Sequence, residues 1–283
     1  MSINKVGVVG CGTMGAGIIQ TCAQSGMNVI AMDNVQGAID KGLASIDSLL
    51  ENKVKKNKLS QDEKKIIINR ITGVTDYNKF SECDLVIEAV FENRELKKKV
   101  FVELDKSCPK DTILATNTSV LSVIELAGMT SKPEKVLGMH FFFPVPVMRL
   151  LELSKTLATS SETLEAAKEF GKAIGKETIV APDMPGFIVN RLFAPFQMSA
   201  IRMLEQGYAS AEDIDKSTTL GLGHPMGMLQ LSDMQGLDTL LDVIKALYDA
   251  TGDPNLRPPV LLEKMVAVGW LGRKTGKGFY EYK

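Results

Sequence analysis

The chain has 283 residues, 45% hydrophobic and 24% charged, which is enough for two domains with sizeable cores. A formal net charge of −1 gives no field that would draw nucleic acid. Four cysteines without a CxxC pair, and only two histidines, argue against a zinc site or a disulfide framework; no metal is expected, and the thiols fit a reducing compartment. The chain opens on a strand without a signal peptide, and no apolar run approaches membrane-spanning length, so a soluble cytoplasmic protein with no nucleic-acid or membrane partner is expected.

Lys5-Val6-Gly7-Val8-Val9 reads as a short apolar strand running into Gly10-Cys11-Gly12-Thr13-Met14-Gly15. A helix follows through Ala23 and is ended by Gly26, and a second strand, Val29 to Met32, closes on Asp33. Glycines permit a tight turn and let the backbone approach a pyrophosphate, while the helix N-terminus offers it N–H groups. An acid closing the second strand can take both hydroxyls of an adenosine ribose and would repel a 2′-phosphate. GxGxxG alone is a weak signal; strand, turn, helix, strand and terminal acid together predict NAD(H) in preference to NADP(H).

Alternation continues with a strand ending at Val74, a buried strand from Cys83 to Val90, a helix from Asn93 to Ser107, and strands at 112–116 and 136–142. Helix 163–174 and strand 178–180 complete a doubly wound α/β sheet of Rossmann type. One insertion interrupts it. Between Gln36 and Arg70, Ile39, Leu43, Ile46 and Leu50 keep helical spacing, Lys53, Lys55, Lys56 and Lys58 mark a turn, and Ser60 to Glu63 has the pattern of a capping box. This predicts a helical hairpin with a basic tip, either a solvated turn or a docking surface for a polyanionic substrate tail.

His140 lies between an apolar run and the proline-punctuated segment 142–149, and the next run, Leu150-Leu151-Glu152-Leu153, places an acid among leucines. A strand, a turn and a returning strand would bring Glu152 beside His140. A buried carboxylate can then hold one ring nitrogen while the other faces a substrate. The alternative is a core histidine at a strand end. After Pro182 the strand pattern stops. Phe187 to Gln206 reads as a long apolar helix bent at Pro195, Ser210 caps another, Gly221 to Pro225 forms a turn, and 237–250 is helical again. The expected domains are 1–183, with the hairpin at about 36–70, and an all-helical 184–283 whose apolar surface suggests a partner subunit. His224, between Gly223 and Pro225, reads as structural.

With the glycine turn, the His140–Glu152 segment and Pro185-Gly186-Phe187-Ile188-Val189-Asn190-Arg191 in view, the chain resembles the L-3-hydroxyacyl-CoA dehydrogenases, most narrowly the bacterial 3-hydroxybutyryl-CoA dehydrogenases. The resemblance runs nearly end to end, closing on Gly269-Trp270-Leu271-Gly272-Arg273-Lys274-Thr275-Gly276-Lys277-Gly278-Phe279-Tyr280. It implies reversible, NAD-dependent oxidation of a 3-hydroxyacyl-CoA, and a homodimer built through the helical domain. It also implies His140 as acid/base, Glu152 as the group orienting its ring, Ser119 as a donor near the reacting oxygen, and Asn190 as a polar residue completing the substrate site. Cofactor contacts implied are Asp33, Glu92, Lys97 and Lys274, beside the turn residues Gly10, Gly12, Thr13, Met14 and Gly15. Lys56 falls where the family binds CoA.

The chain also departs from that pattern. Phe143 stands where the family has Asn, Val120 replaces a second Ser, Met198-Ser199 replaces Asn-Glu, and Met228-Leu229-Gln230 replaces a usual Pro-x-Glu. Phe143, Val120, Met198 and Met228 are therefore further candidates for the substrate pocket. Either the family activity persists through drift, or a more apolar pocket accepts simple ketones or 3-oxo esters without the CoA handle. A noncatalytic, NADH-binding protein like a lens crystallin is a third possibility, opposed by retention of His140, Glu152, Ser119 and Asn190. Dehydrogenases of the 6-phosphogluconate type share the two-domain plan but use a lysine in place of the His–Glu pair.

Overall fold

A computed structural model describes residues 3–282. The chain divides into two compact units, one ending at Met184 and the other beginning at Pro185.

The first unit is an α/β fold. In chain order its elements are β1 (Lys5–Val9), α1 (Thr13–Gln24), β2 (Asn28–Met32), α2 (Gln36–Lys55), α3 (Gln61–Asn69), β3 (Ile71–Val74), β4 (Leu85–Glu88), α4 (Arg94–Ser107), β5 (Ile113–Thr116), α5 (Val123–Ala127), β6 (Val136–Phe141), β7 (Leu150–Lys155), α6 (Ser161–Ala173) and β8 (Glu177–Pro182). The eight strands form one sheet in the order β3-β2-β1-β4-β5-β6-β7-β8. Strands β1 to β6 are mutually parallel, β7 runs antiparallel to β6, and β8 runs parallel to β7. Strand order reverses at β1, so the turns after β1 and β4 lie side by side at the carboxyl ends of the strands, the topological switch point where α/β sheets bind ligands.

Successive side chains of the central strands point to opposite faces, and both faces are covered. Val6, Val8, Leu85, Ile87, Ile113 and Ala115 join residues of α1, α2 and α6 in one continuous apolar cluster. Val86, Leu114 and Val136 point away from it, and α4 and α5 bring Phe101, Leu104 and Leu126 to bury that second face. Near-continuous apolar runs are what such a doubly covered sheet requires. The helical hairpin forms as its spacing predicts. Ile39, Ile46 and Leu50 bury one face of α2, and the capping box at the start of α3 is complete: Ser60 N–H donates to Glu63 Oε2 at 2.7 Å, and Glu63 N–H donates to Ser60 Oγ at 3.1 Å.

The second unit is helical: α7 (Val189–Glu205), α8 (Ala211–Lys216), α9 (Met228–Gln235), α10 (Leu237–Thr251) and α11 (Val260–Ala267). Pro195 lies inside α7. Two buried carboxylates organise this unit. Asp215 accepts from Leu229 N–H (2.8 Å), Gln230 N–H (3.0 Å) and the Tyr280 hydroxyl (2.9 Å), capping α9. Asp233 accepts from Phe279 N–H, Tyr280 N–H and the Tyr282 hydroxyl at 2.9 to 3.0 Å, holding the C-terminal segment. Burial pushes the Asp233 carboxyl above the ordinary carboxylate range. The glycines of this segment are explained by these clamps: a Cβ at Gly278 would overlap the Asp233 carboxylate, and one at Gly272 would overlap its backbone. The ammonium of Lys277 lies over the ring of Trp270, 4.2 Å from its centroid.

Candidate active site

Two sites can be built within the first unit. At the turn between β1 and α1, Gly10 takes a positive φ of 101°, and a Cβ there would stand 2.6 Å from the Ala89 carbonyl oxygen, so backbone packs on backbone. A Cβ at Gly15 would overlap the carbonyl oxygen of Gly10. Gly12 differs: a Cβ there meets nothing within 4 Å, and as N-cap of α1 it supplies no side-chain acceptor for the first-turn N–H groups of Thr13, Met14 and Gly15. The result is an open concavity lined by backbone donors at a helix N-terminus, which fits a pyrophosphate. Asp33 stands beside it, its Oδ2 accepting from Cys11 N–H at 3.0 Å and its Oδ1 from Val35 N–H at 3.3 Å. An acid fixed next to the glycine turn fits an unphosphorylated adenosine ribose.

The second site is the end of the β6–β7 hairpin. The antiparallel register sets His140 directly opposite Glu152, and His140 Nδ1 lies 2.7 Å from Glu152 Oε2. Glu152 is fully buried and His140 is 6% exposed. The His140 ring also stacks obliquely on Phe142, centroids 4.5 Å apart. Asn117 joins this hairpin to the end of β5: its N–H donates to Glu88 O (2.8 Å), and its Oδ1 accepts from Phe141 N–H (2.9 Å). Ser119 follows on the same turn, half-buried.

That turn is fixed by Glu92. Its Oε1 accepts from Ser119 N–H at 3.1 Å, from Val120 N–H at 3.3 Å, and from the Thr118 hydroxyl. Glu92 Oε2 in turn meets Lys97 Nζ at 3.2 Å.

Four of the expected site residues have buried side chains. Lys97, expected at the cofactor, is 1% exposed and closes a buried ion pair with Glu88. Met198 and Met228 are fully buried in the structure. Val120 is 6% exposed, so its contribution at this turn is the N–H given to Glu92. Other candidates keep accessible side chains. Lys56 is exposed at the C-terminal cap of α2. Phe143 is 62% exposed in the segment after β6. Asn190, half-buried, begins α7 of the second unit, and Lys274 is ion-paired with Asp238 there at 2.5 Å. Glu88 is the residue that sequence reading missed; a glutamate ending a run as apolar as Leu85-Val86-Ile87 is itself a signal of a buried partner.

Burial pushes all four thiols up, to about 12 for Cys11, Cys22 and Cys83 and about 11 for Cys108, so none is a ready nucleophile. Among the described residues no three His, Cys, Asp or Glu side chains group as a metal site, and no helix is long and apolar enough to cross a membrane.

The NAD binding domain of 3-hydroxyacyl-CoA dehydrogenase matches residues 5–184, and the C-terminal domain of the same family matches residues 186–282. This chain belongs to the 3-hydroxyacyl-CoA dehydrogenase family. It is 45% identical over 278 residues to a 3-hydroxybutyryl-CoA dehydrogenase of Clostridioides difficile, covering 98% of this chain and 99% of that one. The crystal structure of Mycobacterium tuberculosis FadB2 superposes with a TM-score of 0.98 at 41% identity, and that of (S)-3-hydroxybutyryl-CoA dehydrogenase from Ralstonia eutropha with 0.96 at 45%, each comparison covering both chains in full. The chain is thus an oxidoreductase of the 3-hydroxyacyl-CoA dehydrogenase type, with NAD as its cofactor.

Proposed function

We propose that the substrate is a short (S)-3-hydroxyacyl-CoA, 3-hydroxybutyryl-CoA or a close homologue, oxidised reversibly at C3. The observation that carries this reading is the buried His140–Glu152 pair, held in register by two neighbouring strands, in a chain of this family. When bound, NAD supplies the hydride acceptor; Gly10, Gly12, Thr13, Met14, Gly15 and Asp33 would hold it. His140 does the proton work. Glu152 occupies Nδ1, which makes Nε2 the nitrogen that takes the hydroxyl proton during oxidation and returns it to the forming alkoxide during reduction. The Glu152 carboxylate orients the ring and stabilises its cationic form. The Ser119 hydroxyl donates toward the reacting oxygen, where negative charge develops in reduction. Asn190 completes the substrate site, and Lys56 meets the phosphates of CoA.

A second reading, the same chemistry on uncharged 3-oxo esters, rests on Phe143, an exposed apolar side chain where the family pattern has an amide. The test is NADH oxidation with acetoacetyl-CoA beside ethyl acetoacetate, compared as kcat/KM in one preparation. Strong preference for the thioester is expected. Preference for the ester would establish the second reading, and NADH binding without turnover of either would make the protein noncatalytic. We further propose a cytoplasmic homodimer formed through the helical unit, supported by the exposed apolar side chains of Leu192, Tyr208, Leu220 and Leu222. Sedimentation equilibrium at twice the chain mass would agree with it; a monomer would not.

A further inference from the structure

The carboxyl edge of the sheet is a stitched row. Strand registers align Met32, Val9, Glu88, Thr116 and Gly138 across five neighbouring strands. Asp33, Gly10, Ala89 and Asn117 each stand one residue beyond the end of a strand in that row. Gly10 N–H donates to Met32 O at 2.8 Å, Ala89 N–H to Val9 O at 2.7 Å and Asn117 N–H to Glu88 O at 2.8 Å. Gly10 and Ala89 shape the glycine turn, and Asp33 stands at the ribose. Asn117 has no such task yet, although its side chain is held in place. Its Oδ1 accepts from Phe141 N–H at 2.9 Å, and Phe141 is 2% exposed. Only the oxygen of an amide accepts, so this bond sets which way the group is turned and directs Nδ2 away from Phe141. Asn117 is half-buried, and among the described residues Nδ2 meets no acceptor. The outcome is a preoriented donor beside the strand that carries His140.

We propose that Asn117 is a further cofactor-binding residue whose Nδ2 donates to the nicotinamide riboside half of NAD, a proposal that rests on the role given to His140 above. Placement carries it. The pyrophosphate concavity lies off β1, and Asp33 takes the adenosine ribose one strand to one side. The other half of the dinucleotide therefore runs the opposite way, over β4 and β5. It also has to end where the reaction needs it. The carbon that gives up hydride carries the oxygen whose proton goes to His140, so the nicotinamide ring must finish beside His140, on β6. Neighbouring strands are about 4.8 Å apart, which puts Asn117 roughly 10 Å along that path from the glycine turn. Its amide is bonded to Phe141, the residue next to His140. The riboside offers hydroxyl and carboxamide oxygens as acceptors there. An aspartate would serve Phe141 N–H equally well, but it would give the cofactor no donor and set another carboxylate near Glu88.

The test separates the two halves of the cofactor on the full chain. Asn117→Asp keeps an oxygen for Phe141 N–H and removes the donor. NADH should bind this variant about tenfold or more weakly. ADP, which carries only the adenosine ribose and the pyrophosphate, should bind within about threefold of the parent. ADP-ribose then locates the acceptor. A loss as large as that of NADH places it on the ribose, an undiminished affinity places it on the carboxamide, and either supports the proposal. If Asn117→Asp does not fold, Asn117→Ser gives the same comparison with a side chain too short to reach. Equal weakening of NADH and ADP would mean that the whole turn has moved, and would overturn the proposal. Unchanged NADH binding would overturn it too: with a fall in kcat the donor belongs to the substrate oxygen, and without one Asn117 only stitches β5 to β6. A wild-type enzyme inactive on acetoacetyl-CoA would refute the proposed substrate alone, and the binding readings would still decide the part played by Asn117.

Discussion

At the residue scale, the glycines of the cofactor turn separate binding from folding. Gly12 faces open space, so Gly12→Ala should fold with an unchanged unfolding midpoint while weakening NADH binding about tenfold or more, because its methyl enters the pyrophosphate concavity. Gly15→Ala should instead cost about 2 kcal/mol or more of stability, since its methyl overlaps the Gly10 carbonyl. Fluorescence titration and denaturant melts of both variants check this; equal effects would refute the distinction. His140→Ala should lower kcat about a thousandfold with NADH affinity intact, and retained turnover would remove His140 from the mechanism. Phe143→Asn restores hydrogen-bonding capacity, and should raise the preference for acetoacetyl-CoA over ethyl acetoacetate about tenfold; a flat ratio would free Phe143 of any part in specificity. What sequence shows at this scale is what lies close in sequence or follows from register. His140 and Glu152 are twelve residues apart on a hairpin, so a strand, a turn and a returning strand suffice to bring them together, and the register sets them opposite one another. Lys97 is harder. Its partner Glu88 sits nine residues away across a strand end and a loop, and no spacing rule joins them. Met198 and Met228 stand where the family pattern is polar, and their burial, which depends on packing from distant parts of the chain, is not legible from the residues beside them.

At the element scale, the carboxylate clamps of the helical unit replace the regular sheet of the first. Asp233 ties the C-terminal segment to α9 by serving two N–H groups and one hydroxyl. Asp233→Ala leaves three part-buried donors without an acceptor and should cost about 3 kcal/mol, with early proteolysis after Trp270. A variant as stable as the parent would show that the segment is held by its apolar contacts instead. These clamps explain why sequence reading was uneven here. The Ser210 cap and the apolar spacing of α10 are local signals and were legible. Helices α9 and α11 have only eight residues each, too short to establish a helical period, and α9 follows Gly227, which has no side chain to cap it, so its N–H groups are taken by Asp215 from further back in the chain. A cap supplied from a distance leaves no mark next to the helix it serves. The hairpin of the first unit shows the opposite case, because Ser60 and Glu63 carry their cap within four residues.

At the scale of the whole molecule, the break at Pro185 separates chemistry as well as structure. The glycine turn, Asp33 and the His140–Glu152 pair all lie before it, while Asn190 and Lys274 lie after it. A fragment ending at Met184 should bind NADH within about tenfold of the full chain, since the concavity and the ribose acid are complete within it. A much larger loss would assign a cofactor contact to the second unit, and Lys274→Ala in the full chain would show whether Lys274 supplies it. The order of strands, then helices, made the division legible, since no alternating apolar pattern returns after Pro182. Trp270, under the Lys277 ammonium, is the only tryptophan in the chain. Its emission is therefore an intrinsic label for the second unit alone, while the fluorescence of bound NADH reports on the first. Each half of the protein carries its own optical channel, so loss of structure and loss of cofactor can be followed in one cuvette without attaching a dye.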